Sequence, residues 1–295
     1  MESVIIDGVT IYLSHPDDLN IPLYPRNEII EQILACWLVL DERDLPLTPR
    51  LVGKPGVGKT TLAYAAAKKL NKEVYLFQAT VDTRPEDLII TPVISEDKKI
   101  RYVASPIVTA MIKGGIAIID EANRMSEKSW ASLAPLLDAR RYVESIIAGI
   151  KIKAHPEFRL CVTMNEDAST FELPEYIHSR LQPQIFIDFP SYEEEKSILK
   201  TNLPWADEGL LDYIVRFLQM AHEYGELYSV RDGVSIGRYI LKKLKFLNKS
   251  LESSTDLLSL LKEAISVILG PQALVYFKEL LENKNSTKPF LRPLD

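Results

Sequence analysis

Apolar positions along this chain recur with two different periods, and the pattern changes near Ser191. Before that point, short apolar or alternating runs of strand type are interleaved with helical spacings; after it the pattern is almost entirely helical. An α/β domain over residues 1–190 and a helical lid domain over 191–295 are therefore expected. Val4 to Leu13 alternates around Asp7-Gly8, which predicts a hairpin. Asn27 reads as a helix N-cap ahead of Ile29, Ile30, Ile33, Leu34, Trp37 and Leu38 at helical spacing. Pro49 to Val52 ends a short strand, Thr61 to Leu70 is an Ala-rich helix stopping at Asn71, and Val74 to Ala79 is a buried parallel strand.

Two further hairpins interrupt what would be a simple strand-helix alternation. The first runs from Ile89 to Ile94, through a polar tip Ser95-Glu96-Asp97-Lys98-Lys99, to Ile100–Val103. The second pairs Arg140–Val143 with Ile150–Lys153. Between them lie a helix opening at Ser105-Pro106, the apolar strand Ile116 to Ile119 ending in Asp120-Glu121, and a helix capped by Ser126 and running to about Asp138. Phe158 to Thr163 is the next core strand and ends at Asn165. Pro174 to Leu181 forms a short helix bearing Arg180, and Gln184 to Phe189 closes the sheet. Ser191 and Glu194 form a capping box, followed by helices over Glu193–Thr201, Ala206–Tyr224, Val230–Phe246 and Ser253–Leu281, the last interrupted at Gly270-Pro271.

The strongest chemical signal is Gly53-Lys54-Pro55-Gly56-Val57-Gly58-Lys59-Thr60, an unbroken match to the phosphate-loop pattern G-x-x-x-x-G-K-[ST] between a strand and a helix. Gly53, Gly56 and Gly58 are expected to take positive φ and turn backbone N-H groups toward phosphate oxygens. Lys59 supplies a point charge for the outer phosphates and the Thr60 hydroxyl a ligand for Mg2+; with Thr61, these residues are the candidate nucleotide-binding set. In an open parallel sheet ligands sit at the carboxyl ends of strands, so Asp120 and Glu121 are expected at the same edge. Asp120 then serves the metal, and Glu121 orients or deprotonates the attacking water.

Composition narrows the picture by exclusion. The net charge of -6 and pI ≈ 5.5 give no overall positive field for nucleic acid or an anionic membrane surface. Cys36 and Cys161 are the only cysteines, and the histidines lack ligand spacing, so neither a disulfide framework nor a zinc site is indicated. No apolar run reaches the ~20 residues of a membrane span, which makes a cytoplasmic location the expectation.

Taken in order, the phosphate loop, Asp120-Glu121, Asn165, Arg180 and an Arg-bearing helical domain resemble the AAA+ ATPases over essentially the whole chain. The hairpin before the acidic strand is similar to a helix-2 insert, and the one after Arg140 to a pre-sensor-1 insert. Asp120-Glu121-Ala122-Asn123-Arg124 is similar to the D-E-x-N-R signature of the MoxR and dynein-related branch, which includes CbbQ/NorQ and gas-vesicle GvpN types. The resemblance implies a P-loop AAA+ core with a helical lid, ATP and Mg2+ as ligands, and hydrolysis at the subunit interfaces of a homo-oligomer, expected as a hexameric ring. It further implies Asn165 as sensor 1, Arg180 as an arginine finger acting on a neighbouring subunit, and Arg231 as sensor 2, with Arg238 the rival. The family pattern at sensor 2 is S-P-R, where this chain has Ser229-Val230-Arg231. A protein client, reached through a von Willebrand factor A domain partner, is what the resemblance implies; a nucleic-acid-acting loader or translocase is the alternative. Lys98, Lys99, Lys151 and Lys153 either line a central pore or keep the hairpin edges soluble.

Overall fold

The computed structural model describes residues 2–19, 26–95, 98–166, 172–248 and 254–283. Glu96 and Asp97 of the expected hairpin tip and Ser253 at the expected start of a helix lie outside them. The chain divides into two compact units, one holding Met1–Lys54 and Gly58–Asp188, the other Pro55–Val57 and the chain from Phe189 onward.

In the first unit the elements run β1 (Ser3–Ile6), β2 (Val9–Tyr12), α1 (Asn27–Trp37), β3 (Arg50–Gly53), α2 (Lys59–Lys69), β4 (Val74–Gln78), α3 (Pro85–Leu88), β5 (Ile90–Ile94), β6 (Ile100–Ala104) and α4 (Pro106–Lys113). They continue with β7 (Ile116–Asp120), a 3-10 turn (Ala122–Arg124), α5 (Glu127–Leu133), β8 (Tyr142–Ser145), β9 (Ile150–Lys153), β10 (Arg159–Asn165), α6 (Glu175–His178) and β11 (Gln184–Ile187). A five-stranded sheet in the order β11-β3-β10-β7-β4 is parallel throughout. Its central strand segments are apolar because both faces are covered: Ile116, Ala117, Ile118 and Ile119 of β7 are all fully buried. The Ala-rich stretch of α2 lets that helix lie close, with Ala63, Ala66 and Ala67 fully buried.

The two hairpins outside the core alternation have different fates. The β8–β9 hairpin stands as its own antiparallel pair. The β5–β6 hairpin instead joins the N-terminal one in a four-stranded sheet, β1-β2-β6-β5, through a parallel β2–β6 pairing of Ile11 with Tyr102 and Tyr12 with Val103. Burial explains the union: Ile11, Leu13, Ile90 and Ala104 all enter the core that also holds Val108 and Met111.

Several boundaries move for identifiable reasons. Asn27 is the first residue of α1, and Arg26 occupies the cap position without a side-chain cap bond. The helix after Ser126 ends at Leu133, because Pro135 has no N-H to continue it and restricts the residue before it; the remainder to Asp138 is turn. α6 is a single turn rather than a helix spanning Pro174 to Leu181. Ser105 caps α4 as expected, its Oγ accepting from Val108 N at 3.1 Å, and Asn71 takes φ 52° beyond α2.

The second unit contains α7 (Tyr192–Asn202), α8 (Glu208–Glu223), α9 (Val230–Phe246), α10 (Ser254–Leu269), a 3-10 turn (Pro271–Ala273) and α11 (Leu274–Asn283). The Ser191–Glu194 capping box opens α7, with Ser191 N donating to Glu194 Oε2 at 2.8 Å. Leu199, Leu210, Leu211, Ile214, Leu218, Ile236, Leu261 and Ile265 form its core. Among the described residues no helix is long and apolar enough to cross a membrane.

Candidate nucleotide site at the carboxyl edge of the parallel sheet

Strand register decides which side chains meet. β10 pairs with β3 so that Asn165 lies level with Gly53, the last residue before the loop, and β7 lies on the other side of β10. The phosphate loop, Asp120-Glu121 and Asn165 therefore leave the sheet at one edge, where ligands of parallel α/β sheets bind. Gly56 and Gly58 take φ of 81° and 92°, the left-handed backbone that the motif requires. Gly53 does not share it, against expectation. Its requirement is steric, since a Cβ there would lie 2.1 Å from the Ile187 carbonyl oxygen on β11.

Lys59 opens α2 and is only 6% exposed. Its Nζ donates to the carbonyls of Gly53 and Lys54, each at 2.8 Å, which holds the ammonium beneath the loop against neutral acceptors. Thr60 Oγ1 donates to Asp120 Oδ1 at 2.5 Å, and Thr163 Oγ1 donates to the same oxygen. A hydroxyl and a carboxylate this close make a hard oxygen donor pair, and Mg2+ is commonly held by one or two carboxylates together with substrate phosphates. The residues present thus fit Mg2+. Among the described residues no group of three or more His, Cys, Asp or Glu could hold a metal by protein ligands alone.

Glu121 follows Asp120 in left-handed conformation, φ 53° and ψ 40°, which is uncommon for a residue other than glycine. Its backbone N donates to Thr163 Oγ1 at 3.1 Å. Its carboxylate is engaged at both oxygens: Asn165 Nδ2 donates to Oε1 at 3.1 Å, and Arg124 Nε pairs with Oε2 at 2.6 Å. Asn123 in turn brackets the Asn165 backbone, donating from Nδ2 to its carbonyl at 2.8 Å and accepting from its N-H at 3.3 Å. Thr163 and Asn123 are positioning residues that the apolar and motif patterns did not single out. Thr163 reads as an ordinary β-branched strand residue, and Asn123 as one letter of a signature.

Arg180 makes its contacts elsewhere. Its Nη1 donates to the Tyr176 carbonyl and its Nε lies 3.4 Å from Asp138 Oδ2. Arg140, hydrogen-bonded to the Asp138 carboxylate, holds that group down at about 2 against its partial burial, with Arg180 adding to the effect. Arg231, the second residue of α9, and Arg238 are both exposed in the second unit. Lys98, Lys99, Lys151 and Lys153 are exposed on the hairpins, with Lys151 Nζ 4.4 Å from the Tyr142 ring centroid. Cys36 and Cys161 are free and buried, and burial pushes both thiols up.

A parallel sheet with a phosphate loop after β3, paired acids at the end of β7 one strand further on beyond β10, two inserted hairpins and trailing helices make a P-loop fold of the AAA+ type. Residues 50–181 match the model of the AAA domain (dynein-related subfamily). Among curated proteins, an uncharacterized protein of Staphylococcus epidermidis is 28% identical over 172 residues, covering 57% of this chain and 65% of that protein. One of Staphylococcus aureus is 27% identical over 179 residues, covering 59% and 68%. The chain thus spans about two thirds of the length of these relatives. Among solved structures, the Thermotoga maritima RuvB Holliday junction branch migration motor superposes with TM-score 0.53 at 15% identity, covering 82% of this chain and 69% of that one. A variant of the same protein reaches 0.57 at 15% identity, over 85% and 76%.

Proposed function

We propose that this protein is an AAA+ ATPase of MoxR type that hydrolyses ATP at the interfaces of a homo-oligomeric ring, a hexamer, and uses the cycle to remodel a protein client. The AAA-domain match and the RuvB-like fold support ATP hydrolysis as the reaction. The observation that carries the reading is the meeting of Thr60, Asp120, Glu121 and Asn165 at the edge where the phosphate loop leaves the sheet.

In this mechanism the loop from Gly53 to Thr61 binds the triphosphate, with Gly56 and Gly58 supplying its curvature and Lys59 the charge on the outer phosphates. Thr60 and Asp120 would hold Mg2+, which when bound neutralises charge on the phosphate oxygens. Glu121 accepts the proton of the attacking water, and Asn165 orients that water beside it. Arg180 of a neighbouring subunit stabilises the transition-state charge, and Arg231 reports nucleotide state to the helical domain of residues 191–295. The exposed lysines at 98, 99, 151 and 153 face the client, which a von Willebrand factor A domain protein presents in the cytoplasm.

Mixing Glu121→Gln with Arg180→Ala protein tests the shared site. Hydrolysis above that of either parent supports it, whereas undiminished activity of dilute Arg180→Ala monomer overturns it. A second reading, a nucleic-acid-acting motor, draws on the exposed hairpin lysines, and the net charge of -6 argues against it. Steeply salt-dependent DNA binding with DNA-stimulated hydrolysis would replace the first reading with the second.

A further inference from the structure

Among the described residues Arg124 makes its ion pair with the carboxylate on which the hydrolytic reading depends. Its Nε lies 2.6 Å from Glu121 Oε2, three residues back across the 3-10 turn, an ion pair by distance in which Nε makes no hydrogen bond among the described residues. The two side chains are 31% and 32% exposed, so water screens this pair less than a fully solvated one. On the opposite oxygen, Asn165 Nδ2 donates from the end of β10 at 3.1 Å. The backbone beneath is equally constrained: Arg124 N donates to Glu121 O at 2.9 Å, and Glu121 N donates to Thr163 Oγ1.

A free glutamate side chain loses rotamer freedom when it is held in one arrangement. Here two groups on two different segments divide that work, an amide donor from the neighbouring strand and a guanidinium charge from the turn itself. A general base must also sit within hydrogen-bond reach of the water it deprotonates, and displacement of about 1 Å lowers the rate by around 10²-fold.

We propose that Arg124 is a positioning residue that fixes the Glu121 carboxylate for proton abstraction; the inference rests on the hydrolytic reading above. It acts through Glu121 and not on the nucleotide. The arginine is therefore needed for turnover and dispensable for nucleotide binding.

The test is steady-state hydrolysis by the full chain with MgATP. Arg124→Ala is expected to lower kcat about tenfold with KM unchanged, and Arg124→Lys to recover part of the loss because it keeps the charge without the planar fork. Thermal unfolding checks that both variants fold. The decisive comparison adds Arg124→Ala to Glu121→Gln: with the carboxylate already neutral, the second change is expected to have no further effect on kcat. An equal tenfold loss on both backgrounds, an unchanged kcat in Arg124→Ala, or a loss confined to KM overturns the inference. Absence of turnover by the wild-type chain would instead overturn the hydrolytic reading, and this inference with it.

Discussion

Glu121 is half-buried and Glu195 fully buried, and the protein treats the two acids in opposite ways. Glu121 meets an arginine on one oxygen and an asparagine amide on the other. Glu195, on α7 of the second unit, is 0% exposed. Its Oε2 accepts from Gln219 Nε2 at 2.8 Å, while Oε1 has no hydrogen-bond partner among the described residues. Burial therefore pushes Glu195 up to about 7, with the Gln219 hydrogen bond only partly opposing it. The difference teaches what a partner does for a buried or half-buried acid: Glu121 has a group on each oxygen, whereas Glu195 leaves one oxygen bare and holds its proton more tightly for it.

The comparison breaks most visibly at Glu121. Glu121→Gln keeps the shape and removes the charge, so hydrolysis is expected to fall by about 10²–10⁴-fold while nucleotide binding persists. Nucleotide titration alongside single-turnover kinetics measures both. Loss of binding in parallel would make Glu121 a structural group like Glu195.

Glu195→Gln gives the complementary result. The folded-state value lies above the ordinary 4.5, so the folded chain binds the proton more tightly than the unfolded chain. Stability contributed by the acid form is fully present below about 4.5, declines as pH rises toward 7, and is lost above that. The variant has no such decline. It should gain on the wild type by about 3 kcal/mol between pH 4.5 and pH 8, read from denaturant unfolding at both values. A difference independent of pH would show that Glu195 is already ionised when folded.

Asn123→Ala sharpens the comparison from the neighbouring side, since it leaves the Glu121 carboxylate in place and removes the bracket around Asn165. Loss of two buried hydrogen bonds is expected to destabilise the first unit by about 2 kcal/mol and to lower kcat by about tenfold. Thermal unfolding and hydrolysis assays read the two effects separately. The smallest effect is expected at Asp138. Its stabilising charge is present above its ordinary value and lost as pH falls through about 2, and Asp138→Asn should cost below about 1 kcal/mol at pH 7. Equilibrium unfolding at pH 7 and pH 3 checks it.

The fold was largely legible in the pattern, because each core strand of β3, β7 and β10 is a short apolar run ended by a polar or glycine signal. The phosphate loop and the acid pair announce themselves by residue type and spacing. The links that orient them do not. Thr163 lies inside an apolar strand and reveals its role only through register, which places its hydroxyl against Asp120 and the Glu121 amide. Arg124 gains its partner from a left-handed backbone at Glu121, a conformation that residue type does not advertise. Gly53 was expected to need a positive φ and does not take one; what excludes a side chain there is Ile187 on a strand more than a hundred residues away. Helix ends failed where apolar spacing outran a breaker, as at Pro135.

The parallel pairing of β2 with β6 has a kinetic consequence. Ile11 and Tyr102 are separated by roughly ninety residues, so their ladder cannot form until much of the intervening chain has collapsed. The β1–β2 hairpin therefore waits for the insert before it can join the four-stranded sheet. In pulse-labelled refolding, the amides that β2 and β6 use to pair with each other should acquire protection after those of the parallel core, and that ladder should be among the earliest to reopen.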